Sequence, residues 1–406
     1  MPPSDPLEPL DCQRAAFDLP SDETWLNNAY MGALPRAVRD AGTAALERRS
    51  VPSRISARDF FDPAEKARAL CAALVNADAE RVAFVPSVAY GMGIVARNLS
   101  ARAGQNIVLL GDQFPSNVYP WRRFAGVEQR VVRAPITSHT DPARLRERAA
   151  AWNDALVAAI DRNTALVAIE QAHWTDGTLF DLDRVAARCR ETGAAFVIDA
   201  TQTAGAMPID FTRIRPDALV VHSYKSMLSN YGLGFAVFGD RCADGEPLEE
   251  HWMMREGSDD FARLVDYAEP YAAGMRRFDT NLRASPVMIE MLTAACELLL
   301  AWQPARIREY LLAIEARPLA RLVHEGFGVL DADRRAANIF GIVLPAGLEP
   351  EAVRAALAQR RIHVSVRGAS VRVAPHVCND EADLDRLADA LIEIHRASAA
   401  RPQSGA

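Results

Sequence analysis

Short apolar runs alternate with helical segments over the first 240 or so residues, and this alternation restricts the fold more than any other feature. Each run is β-branched or apolar apart from its end residues, and helical stretches such as 182–192 lie between runs. The runs lie at 81–86, 106–110, 165–170, 194–199, 218–222 and 234–238. Continuous apolar strands with helical crossovers indicate a mainly parallel sheet buried on both faces. We therefore predict an α/β fold that binds its ligands at the carboxyl ends of the strands.

The pattern changes after about residue 283. A long helical stretch at 285–302 leads into further helices, and a closing helix follows at 381–395. Between them lie short strand-like runs at 337–344, 362–366 and 370–374. Short strands mixed with helices are typical of a small α+β domain.

These patterns predict the domain organisation. We expect a large domain over 21–283 and a smaller C-terminal domain over 284–396, with residues 21–50 packing partly against the smaller domain. Composition predicts disorder for residues 1–20 and for the tail 397–406.

Composition narrows the classes of function. The chain has 406 residues and a net charge of −7, without the basic stripe that nucleic acid requires, so we expect no nucleic-acid partner. Its six cysteines are scattered without metal-ligand spacing, which indicates free thiols, a reducing compartment and no metal site.

The N-terminal residues are not expected to form a signal peptide, and no apolar run approaches the roughly 20 residues of a membrane helix. We expect a soluble, cytoplasmic protein without a membrane partner.

Two groups with complementary chemistry follow neighbouring predicted strands. Asp199 ends the run 194–199, and Lys225 lies just beyond the run 218–222. Either residue alone would usually be a turn or loop residue. As a pair they suit a cofactor that acts as an electron sink, because a lysine amine condenses with an aldehyde and a carboxylate keeps a pyridine nitrogen protonated.

The segment around this pair resembles the lysine-bearing region of the class V aminotransferase family of fold-type-I pyridoxal-phosphate enzymes. That family includes cysteine desulfurases, selenocysteine lyases, kynureninases and isopenicillin-N-epimerase-like proteins. Its D-x-x-Q or D-x-x-H element is here Asp199-Ala-Thr-Gln202, and its lysine element is here His222-Ser-Tyr-Lys225. The resemblance covers residues 22–396 and implies pyridoxal 5′-phosphate as the cofactor.

The resemblance implies a role for each matching residue. Lys225 would hold the cofactor covalently and act as the base at Cα of an amino-acid substrate. Asp199 would pair with the pyridinium nitrogen, and Gln202 would hydrogen-bond the phenolic oxygen of the ring. His222 and Tyr224 would contact the phosphate.

Two aromatic residues are expected to form walls of the site. The segment 112–119 resembles a kynureninase segment whose Phe stacks on the cofactor, which implies that role for Phe114. Trp174 follows the run 165–170, where the family often has an Asn facing the ring, and would instead wall the pocket.

Further phosphate contacts come from two other segments. The turn that opens a helix after residue 85 resembles the family's phosphate cup, which implies contacts from Ser87, Val88 and Ala89. Asn281 lies in a segment similar to one that reaches the phosphate of the partner subunit, which implies a homodimer with the active site at its interface.

The substrate carboxylate would be bound near the C-terminus. Arg372 takes the position of the family's carboxylate-binding arginine, and a planar guanidinium suits that task because it binds a carboxylate through two hydrogen bonds. Arg367 is an alternative. Asn28, in a segment similar to the family's entry strand, would lie near the same carboxylate.

The cofactor is better determined than the reaction. Loss of the Cα proton to Lys225 can lead to transamination, to epimerisation or to departure of a Cβ substituent. The region 360–368, where cysteine desulfurases carry a nucleophilic cysteine, contains none, and Cys378 lies after Arg372. A persulfide-relay desulfurase is therefore disfavoured.

Because the nearest motif resemblances are to lyases and kynureninase, the resemblance favours a lyase that cleaves a Cβ–S or related Cβ–X bond without a persulfide cysteine. An aminotransferase or an amino-acid epimerase on the same scaffold is the alternative. A non-catalytic cofactor-binding regulator is a third hypothesis, but it predicts loss of a catalytic group, and Lys225, Asp199 and Arg372 are all present.

Overall fold

The computed structural model describes residues 8–135 and 139–399. In chain order, its strands are β1 (Thr24–Trp25), β2 (Val82–Val85), β3 (Asn106–Leu110), β4 (Glu128–Val132), β5 (Thr164–Glu170), β6 (Ala195–Asp199), β7 (Ala218–His222), β8 (Gly234–Phe238), β9 (Gly328–Val329), β10 (Phe340–Val343), β11 (Ile362–His363), β12 (Ser365–Arg367) and β13 (Ser370–Val373). Its helices are α1 (Arg36–Arg49), α2 (Asp62–Leu74), α3 (Val88–Asn98), α4 (Pro142–Ala158), α5 (Leu182–Thr192), α6 (Phe211–Ile214), α7 (Pro286–Trp302), α8 (Pro304–His324), α9 (Pro350–Gln359) and α10 (Glu381–Ala399).

A seven-stranded sheet of order β2-β8-β7-β6-β5-β3-β4 forms the centre of the chain. Strands β3 to β7 are parallel to one another, and only β8 runs antiparallel to its neighbours β2 and β7. The predicted α/β fold with a mainly parallel sheet is confirmed. The carboxyl ends of β5, β6 and β7 therefore meet at one edge of the sheet.

The central strands are apolar because both of their faces are covered. Every residue of β2, β3, β6, β7 and β8 is buried. Helix α3 contacts one face closely through Gly91, where an added Cβ would lie 2.7 Å from Cγ1 of Val220. Only glycine permits this approach of the helix to β7.

A second sheet of order β12-β13-β10-β9 has a core of its own, and its strands are antiparallel. Strand β1 pairs in parallel with β11, and Leu26, which follows β1, is buried in this second core. This placement supports the proposal that part of the segment 21–50 belongs with the small domain. Helix α1, by contrast, packs against α7.

The observed packing moves two of the expected boundaries. Buried side chains of α7, such as Leu292, belong to the core of the large sheet, and α8 runs from that core to the second one through Leu311 and Leu322. This packing supports a division between the domains within α8 rather than at residue 283. Helical periodicity could not reveal which core α7 contacts.

Residues 8–20 are also ordered rather than disordered as expected. Phe17 is buried and stacks on Trp302 at a ring-centroid distance of 6.4 Å, and Arg14 forms an ion pair with Asp383. These contacts are made to distant parts of the chain, so local composition did not predict them. Residues 1–7 and 400–406 of the expected disordered ends lie outside the described residues, whereas 397–399 belong to α10.

No single helix in the described ranges is long and apolar enough to cross a bilayer. Among the described helices, only the pair α7 and α8 taken together has the length and apolar composition of a membrane span. The two helices are bent by 67° at the break between them.

A buried ion network fixes the segment before α7 to the edge of the large sheet. Asp279 accepts hydrogen bonds from Arg68 at 2.7 Å, from Arg283 at 3.0 Å and from the backbone N–H of Phe84 at 2.8 Å. All three charged side chains are almost fully buried, and the half-exposed Glu65 is the other carboxylate within 4.0 Å of both arginines.

We predict that Asp279→Asn lowers the free energy of unfolding by about 3 kcal/mol or more, because two buried guanidinium groups lose their shared counter-charge. Urea denaturation measures the change. Glu246→Gln, which breaks the exposed ion pair with Arg97, is the matched control and should cost less than about 1 kcal/mol. Equal losses in the two variants would contradict the prediction.

Candidate active site

A cavity of about 150 Å³ opens at the carboxyl ends of β5, β6 and β7. It is the point at which ligands bind in parallel sheets of this kind. The residues that line it are Ser87, Val88, Phe114, Ser116, Glu170, Trp174, Asp199, Thr201, Gln202, His222, Tyr224, Lys225 and Tyr231. Nine of the predicted site residues are thus brought together in one place.

Asp199 and Lys225 face the same cavity from neighbouring strand ends. Both side chains are buried, with 5% of each residue exposed. Burial lowers the pKa of Lys225 to about 8, although the nearby Asp199 opposes this shift. Burial raises the pKa of Asp199, whose carboxylate accepts a hydrogen bond from the backbone N–H of Thr201 at 3.0 Å. Within the described residues, no carboxylate oxygen lies within 4.0 Å of the lysine amine.

Glu170 is a third ionisable group of the cavity, and it lies directly opposite Asp199 in the register of β5 and β6. Its two carboxylate oxygens accept the backbone N–H groups of Phe114 and Trp174, each at 2.7 Å. Burial, and then the charge of Asp199, raise the pKa of Glu170 to about 8. The side chain of Glu170 therefore links the backbone of Phe114 and of Trp174, which form two walls of the cavity, to the end of β5.

The aromatic walls meet edge to face. The rings of Phe114 and Trp174 are 5.6 Å apart with an interplanar angle of 84°. The amine of Lys225 lies 5.0 Å from the centre of the Phe114 ring. The indole N–H of Trp174 donates to the backbone carbonyl of Asp112 at 2.7 Å, which fixes this ring.

One end of the cavity is suited to an anion. Ser87 caps α3 by accepting the backbone N–H of Tyr90, so the positive end of the helix dipole points towards the cavity. The buried ring nitrogens of His222 have no hydrogen-bond partner among the described residues. Burial, and then the charge of Lys225, lower the pKa of His222 to about 4, so the ring is neutral at pH 7. The rings of Tyr224 and Tyr231 pack against it.

Arg372 contacts Trp174 but is not itself one of the residues that line the cavity. It is almost fully buried and donates to the carbonyl of Trp174 at 3.0 Å. Burial, and then the charge of Arg367, lower the pKa of Arg372 to about 9. Cζ of Arg367 and Cζ of Arg372 lie 5.1 Å and 5.9 Å from a ring of Trp174, and their charges also lower the pKa of Lys225.

Besides Arg372, three predicted residues do not line the cavity. Ala89 is exposed in the first turn of α3, and only the two residues before it line the cavity. Asn281 is exposed at the start of the segment Asn281–Ala284, away from the lining.

The side chain of Asn28 is hydrogen-bonded within the chain. Its amide nitrogen donates to the carbonyl of Ala374 at 2.9 Å, and its amide oxygen accepts the N–H of Ala33 at 3.0 Å. The turn that it holds brings Gly32 against Lys225, where an added Cβ would lie 2.2 Å from the lysine carbonyl oxygen. A glycine is therefore required at position 32.

The sequence reasoning missed Glu170, Ser116, Thr201 and Tyr231. Glu170 carries a usable signal, because it is the charged last residue of an apolar strand whose carboxyl end was predicted to face the site. Tyr231 has no such signal in the sequence, because its place in the cavity depends on how the loop between β7 and β8 folds.

Curated relatives of the chain carry several activities. An isopenicillin N epimerase of Streptomyces clavuligerus is 26% identical over 385 residues, which is 90% of this chain and 93% of that protein. A probable cysteine desulfurase of Methanothermobacter thermautotrophicus is 29% identical over 218 residues. That alignment spans 52% of this chain and only about half, 51%, of the relative.

Solved structures share the fold over almost the whole chain. A mutant of C-DES with glycine covalently linked to its PLP cofactor has a TM-score of 0.80 at 20% identity, covering 94% of this chain and 99% of that one. The apo cysteine desulfurase of Thermococcus onnurineus has a TM-score of 0.75 at 17% identity, covering 96% and 99%.

A family model described as aminotransferase class-V matches residues 43–398, which is most of the chain. Members of this family are enzymes that depend on pyridoxal phosphate and have the fold-type-I architecture found here. The chain therefore belongs to the class-V aminotransferase family of pyridoxal-phosphate-dependent enzymes.

Proposed function

We propose that this protein is an amino-acid lyase that cleaves a bond at Cβ after Lys225 removes the Cα proton, without a persulfide cysteine. One observation carries the proposal. The Lys225 amine is buried beside Asp199 in one cavity, has a lowered pKa and has no carboxylate within 4.0 Å among the described residues. An amine in this state can attack an aldehyde and can accept a proton near neutral pH.

The cavity residues fit pyridoxal phosphate. Lys225 would hold its aldehyde carbon and Asp199 its ring nitrogen, and Phe114 would cover the ring. The single N–H of the neutral His222 ring and the backbone N–H groups at the start of α3 would donate to the phosphate. When bound, the cofactor supplies an electron sink for the charge left at Cα.

Lys225 carries the proton transfer in this proposal. A lysine of ordinary pKa, 10.5, would be almost wholly protonated at neutral pH and could not act as a base. Burial lowers the pKa to about 8, near the working range of a general base. The neighbouring Trp174 and Phe114 walls exclude water from the amine.

The cysteines support the absence of a persulfide step. No cysteine lines the cavity. Cys378 is fully buried and donates to the side chain of Asn379 at 3.7 Å, and burial raises the pKa of its thiol to about 12. A thiol of this kind is a poor nucleophile because its thiolate is scarcely populated.

Epimerisation is the second candidate, and a specific observation favours it. Two isopenicillin N epimerases align over 90% and 92% of this chain, whereas the alignment with the probable cysteine desulfurase stops at 52%. Epimerisation shares the first step, removal of the Cα proton, and differs in returning a proton to Cα.

We also propose a homodimer in which Asn281 reaches the phosphate site of the second copy. Its exposure supports this role, and so does the buried network around Asp279 that holds the backbone just before it.

The products distinguish the candidates. A panel of β-substituted amino acids, including L-cystine, S-methylcysteine, O-acetylserine and β-chloroalanine, is incubated with the holoenzyme in ²H₂O. A lyase releases ammonia, the β substituent and a 2-oxo acid in equal amounts. Recovery of the amino acid with deuterium at Cα and inverted configuration, without release of the β substituent, would establish the epimerase and contradict the lyase.

Lys225→Ala should reduce exchange of the Cα proton at least about 100-fold, because the base is lost. Nuclear magnetic resonance of the amino acid in ²H₂O measures the exchange. Lys66→Ala is the matched control, since Lys66 is exposed on α2 and pairs with Glu297. Exchange at the wild-type rate in Lys225→Ala would refute the assigned base.

The rate at which the cofactor-free protein takes up pyridoxal phosphate should rise with pH and level off above about 8. The neutral amine is the reactive form, and the Lys225 pKa is lowered to about 8, so raising the pH past this value adds little. N-α-acetyl-lysine amide is the control, and its rate should continue to rise to about pH 10. Identical pH profiles for the protein and the control would contradict the lowered pKa.

Glu170→Gln should weaken binding of pyridoxal phosphate about tenfold. A glutamine has one acceptor oxygen, so either the Phe114 or the Trp174 backbone N–H loses its partner and one wall shifts. Equilibrium titration, followed by quenching of tryptophan fluorescence, measures the dissociation constant, with the exposed Glu349→Gln as the control. An unchanged dissociation constant with a lowered unfolding midpoint would leave Glu170 with a structural role only.

A further inference from the structure

Two guanidinium groups lie against the same aromatic wall of the cavity. Cζ of Arg367 is 5.1 Å from the centre of a ring of Trp174, and Cζ of Arg372 is 5.9 Å from it. Trp174 itself lines the cavity that contains Lys225. Both arginine charges therefore lie beside the space in which a substrate would be held.

The pairing of strands places the two side chains on one face. In the antiparallel pair β12–β13, Arg372 is opposite Ser365 and Arg367 is opposite Ser370. Residues two apart on a strand share a face, so the two arginines are diagonal neighbours whose backbone positions are about 7–8 Å apart. Two long side chains that start from separate strands and contact the same ring can each hold a different acidic group of one ligand.

Neither guanidinium has a carboxylate partner within 4.0 Å in the part of the chain that the structure describes. Arg372 donates to the carbonyl of Trp174 and, at 3.5 Å, to the hydroxyl of Ser365, and Arg367 donates to the carbonyl of Val366 at 2.6 Å. The buried Nε atoms of both arginines have no partner. Nearby Glu170 uses both of its oxygens on backbone N–H groups.

Arg372 is almost fully buried and Arg367 is partly buried, and two neighbouring like charges in such positions are unfavourable without counter-charges. A single α-carboxylate would neutralise only one of them. We infer that Arg372 and Arg367 bind two separate acidic groups of the substrate, so that the preferred substrate is an amino acid with a second carboxylate or similar anionic group. This inference rests on the proposed function, and it assigns the α-carboxylate to Arg372 and the distal acid to Arg367.

The test compares ligands that differ only in the distal charge. Dissociation constants of L-glutamate and L-glutamine, and of L-2-aminoadipate and L-norleucine, are measured on the holoenzyme by calorimetry. The wild type should bind the better acidic ligand at least about tenfold more tightly than its neutral counterpart. Arg367→Met should abolish this preference while changing the affinity for the neutral ligand less than about twofold, and Arg367→Lys should restore part of it.

Arg360→Met is the matched control, because Arg360 is an exposed arginine in the turn before β11 and should leave the preference unchanged. Equal weakening of acidic and neutral ligands by Arg367→Met would overturn the inference, since one carboxylate would then engage both arginines. A wild type that does not bind either acidic ligand more tightly would overturn it as well.

Binding and turnover separate the two proposals. If β-substituted amino acids release their β substituent but the acidic preference is absent, the inference fails and the proposed function stands. If the preference is present and depends on Arg367 but no amino acid exchanges its Cα proton, the proposed function fails and the two-acid site stands.

Discussion

The two neighbouring parallel strands β6 and β7 end at the same edge of the sheet, and the site depends on this constraint. Because β6 ends at Asp199 and the chain turns just after β7, the carboxylate and the Lys225 amine must enter one cavity. The buried strands around them keep that edge dry, which lowers the pKa of the amine. Close contact with Gly32 then leaves the lysine backbone little room to move.

The polar groups around the cavity that lack a partner indicate which kind of ligand the site binds. Lys225, Arg367 and Arg372 have no carboxylate partner among the described residues, and the ring nitrogens of His222 make no hydrogen bond there. Glu170 is the opposite case, because both of its oxygens serve the backbone. Anionic ligands can pair with the unpartnered cations and accept a hydrogen bond from His222. A phosphate and a carboxylate are the anions that the proposed reaction requires.

Much of the fold was predictable because the central strands are buried on both faces and read as apolar runs. The edge strand β4 was missed because its exposed face is polar, with Glu128 and Arg130 in the pattern. Asp199 and Lys225 could be predicted to share a site because each lies at the end of a predicted strand. The hydrogen bonds of Asn28 and the position of Tyr231 could not be predicted, because both depend on contacts between distant loops. Local pattern likewise could not show that α7 packs on the large sheet.

The proposed function requires that the Lys225 amine, and not the Lys66 amine, holds the cofactor. The sequence contains two lysines, Lys66 and Lys225, so a covalent label has few sites to choose from. The holoenzyme is reduced with borohydride, digested and mapped by mass spectrometry. We predict that the pyridoxyl phosphate mass is found on the peptide with Lys225. A label on Lys66, or no label on either lysine, would contradict the account.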